Sequence, residues 1–256
     1  LQAGVLQHSN SLFNSPCFLI RKHAKPSQSG EIAEPEYRLI TDYRLVNRKL
    51  VPEYCTLPSI DHCVDLISTE KAQYFSVCDN KSGFYALGLT PPSRPLTSFS
   101  TSKSHVMYTK IPMGLSVSPI RYQGALSQLL HEILGQEVTM LYQDDLVVFT
   151  RTFQAHLDTL RAVFRKYDEA NIRFNSQKTF FCPKQVHFLG FVLDKEGLRM
   201  STKRCDVINN WKTPTNVRDA KFFLGAVNYF RKLCPNIAKV SWPLRKRTLK
   251  DQPFEW

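Results

Sequence analysis

Residues 138–149 read VTMLYQDDLVVF, two apolar runs joined through a short acidic centre. The Val, Leu, Tyr and Phe residues on either side favour strands, so the stretch reads as a β-hairpin with Gln143, Asp144 and Asp145 at its tip. Asp is a poor strand residue and two adjacent carboxylates repel, so a pair held here calls for a counter-charge. Divalent cations supply one, because carboxylate oxygens are the ligands Mg2+ takes, with substrate phosphates completing its shell. A solvated acidic turn would use the same residues for another reason, since Asp favours turns through bonds to its own backbone.

A further carboxylate narrows the choice. Residues 74–79 (YFSVCD) are aromatic and β-branched and end on Asp79, with room for two strands and a helix before the hairpin. Three carboxylates at neighbouring strand tips can hold two metals roughly 3.5–4 Å apart, one activating the attacking oxygen and one stabilising the leaving group. That constellation belongs to phosphoryl transfer. The charge agrees: 34 Lys and Arg against 22 Asp and Glu leave +12 on 256 residues, the footprint of a phosphate-rich partner. Seven cysteines form no C-x-x-C pair, which argues against a zinc knuckle or a disulfide framework. No apolar run is long enough to span a bilayer, so no membrane partner is expected.

Around this centre the chain reads as α+β. Residues 16–22 (PCFLIRK) and 37–43 (YRLITDY) make a basic hairpin carrying Arg21, Lys22, Lys25, Arg38 and Arg44, with a polar loop over 23–36. Short strands are expected at 96–100, 105–111, 172–174 and 186–193. After a break at Met113 and Gly114, Tyr122, Leu126, Leu129, Leu130 and Ile133 recur at helical spacing. A long amphipathic helix follows the hairpin with Leu157, Leu160, Phe164, Tyr167 and Ala170 on one face. The last fifth is helical from about Thr202, with Thr215 or Asn216 as an N-cap and Ala220, Phe223, Leu224, Val227 and Phe230 facing inward.

The succession YFSVCDNKSGF, IPMGLSVSP, LYQDDLVVF, FLGFVLD and WKTPTNVRDAKFFLGAVNYFRK resembles the ordered blocks of reverse transcriptases from gypsy-like LTR retrotransposons and retrovirus-like elements. The resemblance runs from about Val5 to Trp256, and the final PFEW resembles that family's junction with RNase H. It implies a right-hand polymerase. Fingers and palm, an antiparallel sheet backed by helices, would occupy 1–195, and the thumb with the start of a connection toward RNase H would occupy 196–256. The implied activity is RNA-directed and DNA-directed DNA synthesis, extending a primer from dNTPs with two Mg2+ ions, Mn2+ being the alternative metal. The implied partners are an RNA or DNA template with primer, dNTPs, and the RNase H and integrase domains of one polyprotein. A dimer is compatible with this reading. The expected location is the cytoplasm, within a virus-like particle or virion core, with the nucleus as a second possibility.

By the same resemblance, Asp79, Asp144 and Asp145 match the metal-binding and catalytic triad, with the Asn80 main-chain carbonyl as an added ligand. Lys22 and Arg38 match fingers cations on the incoming triphosphate, where an Arg acts as a bidentate phosphate fork. Asn80, Met113 and Gly114 line the same nucleotide, and Phe84 matches the aromatic beneath its sugar that excludes a 2′-hydroxyl. Phe188, Leu189 and Gly190 match the primer grip, and Tyr142 and Gln143 are expected against nucleic acid. Solvated surface cations and a core aromatic are the plainer readings of Lys22, Arg38 and Phe84.

The chain departs from the pattern where Gln143 replaces a commoner Leu, Val or Met, Asn80 replaces Leu, Ala86 replaces Gln and Arg121 replaces a small residue. None of these removes a metal ligand. Two other readings stay open. An RNA-dependent RNA polymerase shares the two-metal palm, but Phe84 and Tyr142 argue against it. A catalytically silent or domesticated reverse-transcriptase-fold nucleic-acid-binding protein is opposed by the intact triad.

Overall fold

The computed structural model describes residues 4–21, 37–54, 61–62, 65, 72–81, 83–134, 139–249 and 254. Lys22, Lys25, the loop over 23–36 and most of PFEW lie outside the described residues.

The expected hairpin forms as β7 (Thr139–Tyr142) and β8 (Asp145–Thr150), joined by Gln143 and Asp144. With β4 (Tyr74–Asp79) and the short β9 (Phe180–Phe181) they make a four-stranded antiparallel sheet in the order β7-β8-β4-β9. Strand β8 is covered on both faces, and its alternation shows how. Leu146 and Val148 point to one side, where they meet Tyr122, Leu126 and Leu130 of α2 (Ser118–Leu129) and its end. On the same side lie Ile133 of α3 (His131–Leu134) and Leu160, Val163 and Tyr167 of α4 (Phe153–Glu169). Val147 and Phe149 point to the other side, against Val186, Phe188 and Leu193. Each such side chain, fully withdrawn from water, contributes roughly 1.5–3 kcal/mol, so β8 is the most strongly anchored strand of the sheet.

Among the described residues there are three smaller sheets beside this one. A two-stranded hairpin pairs β2 (Cys17–Arg21) with β3 (Tyr37–Thr41), and β1 (Leu6–His8) joins β6 (His105–Tyr108) and β5 (Phe99–Ser100). Strands β10 (Val186–Phe188), β11 (Phe191–Asp194) and β12 (Gly197–Met200) form a meander. The chain then turns helical as α5 (Thr202–Asn209), α6 (Val217–Asn228) and α7 (Ile237–Lys246). Asn216 caps α6, its side chain accepting the Asp219 N–H at 2.9 Å. Among the described residues no helix is long and apolar enough to cross a membrane.

Several local expectations are corrected. Residues 91–97 form a 3-10 helix, Pro91–Thr97, where the sequence predicts a strand from residue 96; the Pro95 carbonyl takes both the Ser98 N–H and its hydroxyl, which closes the turn, so the strand begins only at Phe99. Phe174 makes only an isolated bridge to Asn80, not a strand. The run 186–193 is two strands folded on a turn at Leu189 and Gly190. In α4 the buried stripe is His156, Leu160, Val163 and Tyr167, whereas Phe164 and Ala170 are exposed. In α6 only Ala220 is fully buried, with Phe230 just beyond it, while Phe223, Leu224 and Val227 are half-buried. Arg44 belongs to the short α1 (Arg44–Asn47), not the hairpin, and forks onto Asp42 at 2.6–3.0 Å.

His156 of α4 is fully buried, and its proton positions follow from its neighbours. Thr150 Oγ1 donates to Thr152 O, so it accepts from His156 Nδ1–H at 3.1 Å. Nε2 is then bare and accepts from Ser76 Oγ at 2.8 Å, and Ser76 in turn accepts the Cys182 N–H at 3.1 Å. Burial pushes the imidazole pKa down, consistent with this neutral form.

Candidate active site

The ladder sets the acids side by side. Asp79 at the end of β4 is the cross-strand partner of Asp145 at the start of β8, and the Asn80 N–H donates to Asp144 O at 3.2 Å. The two-residue turn places Gln143 at φ 53°, a left-handed conformation that a residue with a Cβ adopts at a cost. Gln123, buried on α2, holds it there: its Oε1 accepts the Gln143 N–H at 2.6 Å while its Nε2 donates to Leu141 O at 3.2 Å.

The electrostatics are those of carboxylates short of counter-charge. Burial first, then Asp79 and Asp145, raise the Asp144 pKa, and burial followed by Asp79 raises that of Asp145. Lys178 supplies one cation, its Nζ 2.9 Å from Asp79 Oδ2. Asp144 Oδ1 is buried with no hydrogen-bond partner. It fills the space above the Gly83 α-carbon so closely that a Cβ there would meet it at 2.2 Å. Among the described residues no three acidic, His or Cys side chains converge as a preformed cation cage. The donor set nonetheless fits a hard divalent cation: three carboxylates on adjoining strand ends, one with an oxygen lacking a partner, and mutual repulsion that a metal would relieve.

Other expected residues fall around this centre. Asn80 is buried, and its Nδ2 donates inward to Tyr122 OH at 2.8 Å. Phe84, in the 3-10 helix Gly83–Ala86, is half-buried with its ring edge-on to Tyr122 at 5.3 Å between centroids. Tyr142 and Leu189 pack against one core cluster, which brings the turn between β10 and β11 beside the acidic hairpin. In that turn Leu189 and Gly190 both have positive φ, 50° and 83°, the pair a two-residue hairpin needs to match the strand twist. Tyr229 OH donates to Leu189 O at 2.8 Å, and Phe188 is a core residue.

Of the other residues expected at the nucleotide, Met113, Gly114 and Arg38 stand on different elements from the acids. Gly114 sits at φ 96° with Met113 exposed beside it, and the Gly114 carbonyl accepts from Asn47 Nδ2 at 2.9 Å. A Cβ at Gly114 would come 3.3 Å from Thr41 O, so the loop lies directly on the end of β3. Arg38 is exposed on β3 opposite Ile20, and Lys22 lies outside the described residues.

Gln123, Tyr122, Gly83 and Lys178 were not singled out from sequence. Gly83 stands inside the quoted motif and Tyr122 in the helical stripe, but nothing in residue type marks Lys178, which reaches Asp79 across 99 positions.

The comparisons with known proteins agree with this geometry. The family model described as reverse transcriptase (RNA-dependent DNA polymerase) matches residues 20–193. The retrovirus-related Pol polyprotein from transposon opus of Drosophila melanogaster is 33% identical over 97% of this chain, and that from transposon gypsy 29% identical over 95%. The chain spans 24% and 23% of those polyproteins. A foamy viral protease-reverse transcriptase solved with double-stranded DNA superposes with TM-score 0.80 at 28% identity, covering 100% of this chain and 43% of that one. A foamy viral protease-reverse transcriptase solved with an RNA/DNA hybrid gives 0.72 at 27% identity, covering 99% of this chain and 32% of that one. With carboxylates at the tips of an antiparallel sheet and the family model covering most of the chain, the protein belongs to the reverse transcriptase family, nucleotidyltransferases that make DNA on a nucleic-acid template.

Proposed function

We propose that this chain is the polymerase portion of a retrotransposon Pol polyprotein and extends a primer on RNA or DNA from dNTPs by two-metal-ion catalysis. The observation that carries the reading is the pairing of Asp79 with Asp145 across β4 and β8, with Asp144 beside it in the turn that joins β7 to β8. Bound Mg2+ would activate the primer hydroxyl and neutralise the leaving pyrophosphate. Asp79, Asp144 and Asp145 would hold the metals, with the Asn80 carbonyl in support. Phe84, Met113, Gly114 and Arg38 would shape the dNTP site, and the turn at Leu189 and Gly190 would seat the primer. Residues 1–195 serve as fingers and palm and 196–256 as thumb in this reading, with RNase H and integrase domains on the same polyprotein and action in the cytoplasm.

Primer extension on RNA and DNA templates tests it. Extension should require Mg2+ or Mn2+, stop with a chelator, and vanish in Asp144→Asn while primer-template affinity stays within a few-fold. Substantial extension by Asp144→Asn would overturn the assignment.

A further inference from the structure

Beneath the acidic turn lies a buried polar cluster of two tyrosines, an asparagine and the inner edge of Asp144. Tyr122, Tyr167 and Asn80 are 0%, 1% and 4% exposed. One hydrogen bond is in place, from Asn80 Nδ2 to Tyr122 OH at 2.8 Å. That leaves Asn80 Oδ1, Asp144 Oδ1 and Tyr167 OH as buried polar atoms with no partner. A buried polar atom left unpaired costs roughly 1–3 kcal/mol, so three in one place need an account.

The donors and acceptors balance. Tyr122 OH already accepts from Asn80, so its own hydrogen is free to be given, and Tyr167 has a second phenol hydrogen. The acceptors lacking a donor are Asp144 Oδ1 and Asn80 Oδ1. Tyr122 OH and Asp144 Oδ1 crowd one point, 2.8 and 2.2 Å from where a Gly83 Cβ would stand. The absence of that Cβ is what lets them meet.

We propose that Tyr122 is a positioning residue for the metal site: its phenol donates to the inner oxygen of Asp144, Asn80 orients that phenol, and Tyr167 donates to Asn80. The inference rests on the metal assignment above. Asp144 is then held at one oxygen from below and turns the other outward, toward Asp79 and Asp145. Outer contacts of this kind fix the orientation of a ligating carboxylate, and losing one typically weakens metal binding about 10–100-fold.

Titration of Mn2+ by the EPR signal of the free ion, with the chain bound to primer-template, provides the test without turnover. Wild type should show Mn2+ binding that Asp144→Asn removes. Tyr122→Phe keeps the ring against Phe84 and deletes only the oxygen; it should weaken that binding about 10-fold or more, with primer-template affinity unchanged and circular dichroism like wild type. Asn80→Leu, which retains the main-chain carbonyl, should shift Mn2+ affinity the same way. The double variant should fall no further than the worse single one, as expected for one connected chain. Mn2+ affinity in Tyr122→Phe within about two-fold of wild type, with Asp144-dependent binding intact, overturns this inference and leaves the metal reading standing. No Asp144-dependent binding in wild type overturns both.

Discussion

Asp79 and Asp145 stand directly opposite each other on the last rung of the β4–β8 ladder, like charges in a position where sheets ordinarily place attractive pairs. Lys178 offsets part of the repulsion through Asp79. Without a bound cation the fold therefore carries an electrostatic penalty at this pair.

The penalty is measurable as stability. Asp144 has a raised pKa, so above the ordinary carboxyl value of 3.8 the folded protein binds more protons than the unfolded one and loses stability as pH rises through the folded-state pKa. Asp144→Asn should raise the melting temperature of the chelator-treated protein at about pH 7, and the gain should shrink toward acid. A gain of about 1 kcal/mol corresponds to roughly 2–4 °C in a domain of this size. Equal or lower melting temperatures at pH 7 would show that the carboxylates are not strained.

A second prediction concerns Phe84. Its ring is only half-buried, and it lies in the same 3-10 helix as Gly83, which floors Asp144. Phe84→Val should let ribonucleotides in, reducing discrimination against rNTPs far more than it reduces dNTP use, because a clash is removed and little attraction is lost. Single-nucleotide incorporation by the folded variant checks this. An unchanged dNTP-to-rNTP ratio would place the sugar gate elsewhere.

The buried His156 predicts acid sensitivity of a separate origin. Its pKa is depressed, so its contribution is full above the ordinary value of 6.5 and is lost as pH falls below that toward the folded-state pKa. A proton on Nε2 would also take away the acceptor of the buried Ser76 hydroxyl hydrogen, which would have to turn elsewhere. Thermal melts between neutral pH and about pH 5 should fall less steeply for His156→Gln than for wild type. Parallel curves would assign the acid response to other groups.

Primer-template affinity should weaken steeply with salt, because each phosphate neutralised in duplex DNA contributes roughly −0.9 to the slope of log K against log salt. The net charge of +12 leads us to expect several such contacts. A flat response in a binding titration would assign that charge another purpose.

The acidic hairpin was legible because two apolar, strand-favouring runs and a pair of misplaced carboxylates between them are both properties of residue type. Asp79 was legible for the same reason, as a charge ending an apolar strand. The α4 stripe was misassigned because His156 looks polar and Phe164 looks apolar, whereas His156 is buried on its bonds to Ser76 and Thr150 and Leu160, Val163 and Tyr167 join the cluster of Cys78 and Leu146. The turn at 189–190 was hidden because only Gly190 announces a positive φ, and Leu189 adopts one under the demands of the twist. Contacts such as Lys178 with Asp79 and Gln123 with the Gln143 amide join distant segments, and no local pattern encodes them.

Strand β8, closed off on both faces, has a consequence for how the molecule breathes. Amides in 146–149 should exchange with solvent only when the whole domain opens, while those of the hairpin β2–β3, which leaves Phe18, Leu19 and Ile20 exposed, should exchange by local fluctuation. Asp145 should thus be rooted in a slow-opening strand, while Arg38, proposed to meet the nucleotide, stands on a hairpin that opens more readily. Heating short of the main transition should loosen the grip on a substrate well before it disperses the acids.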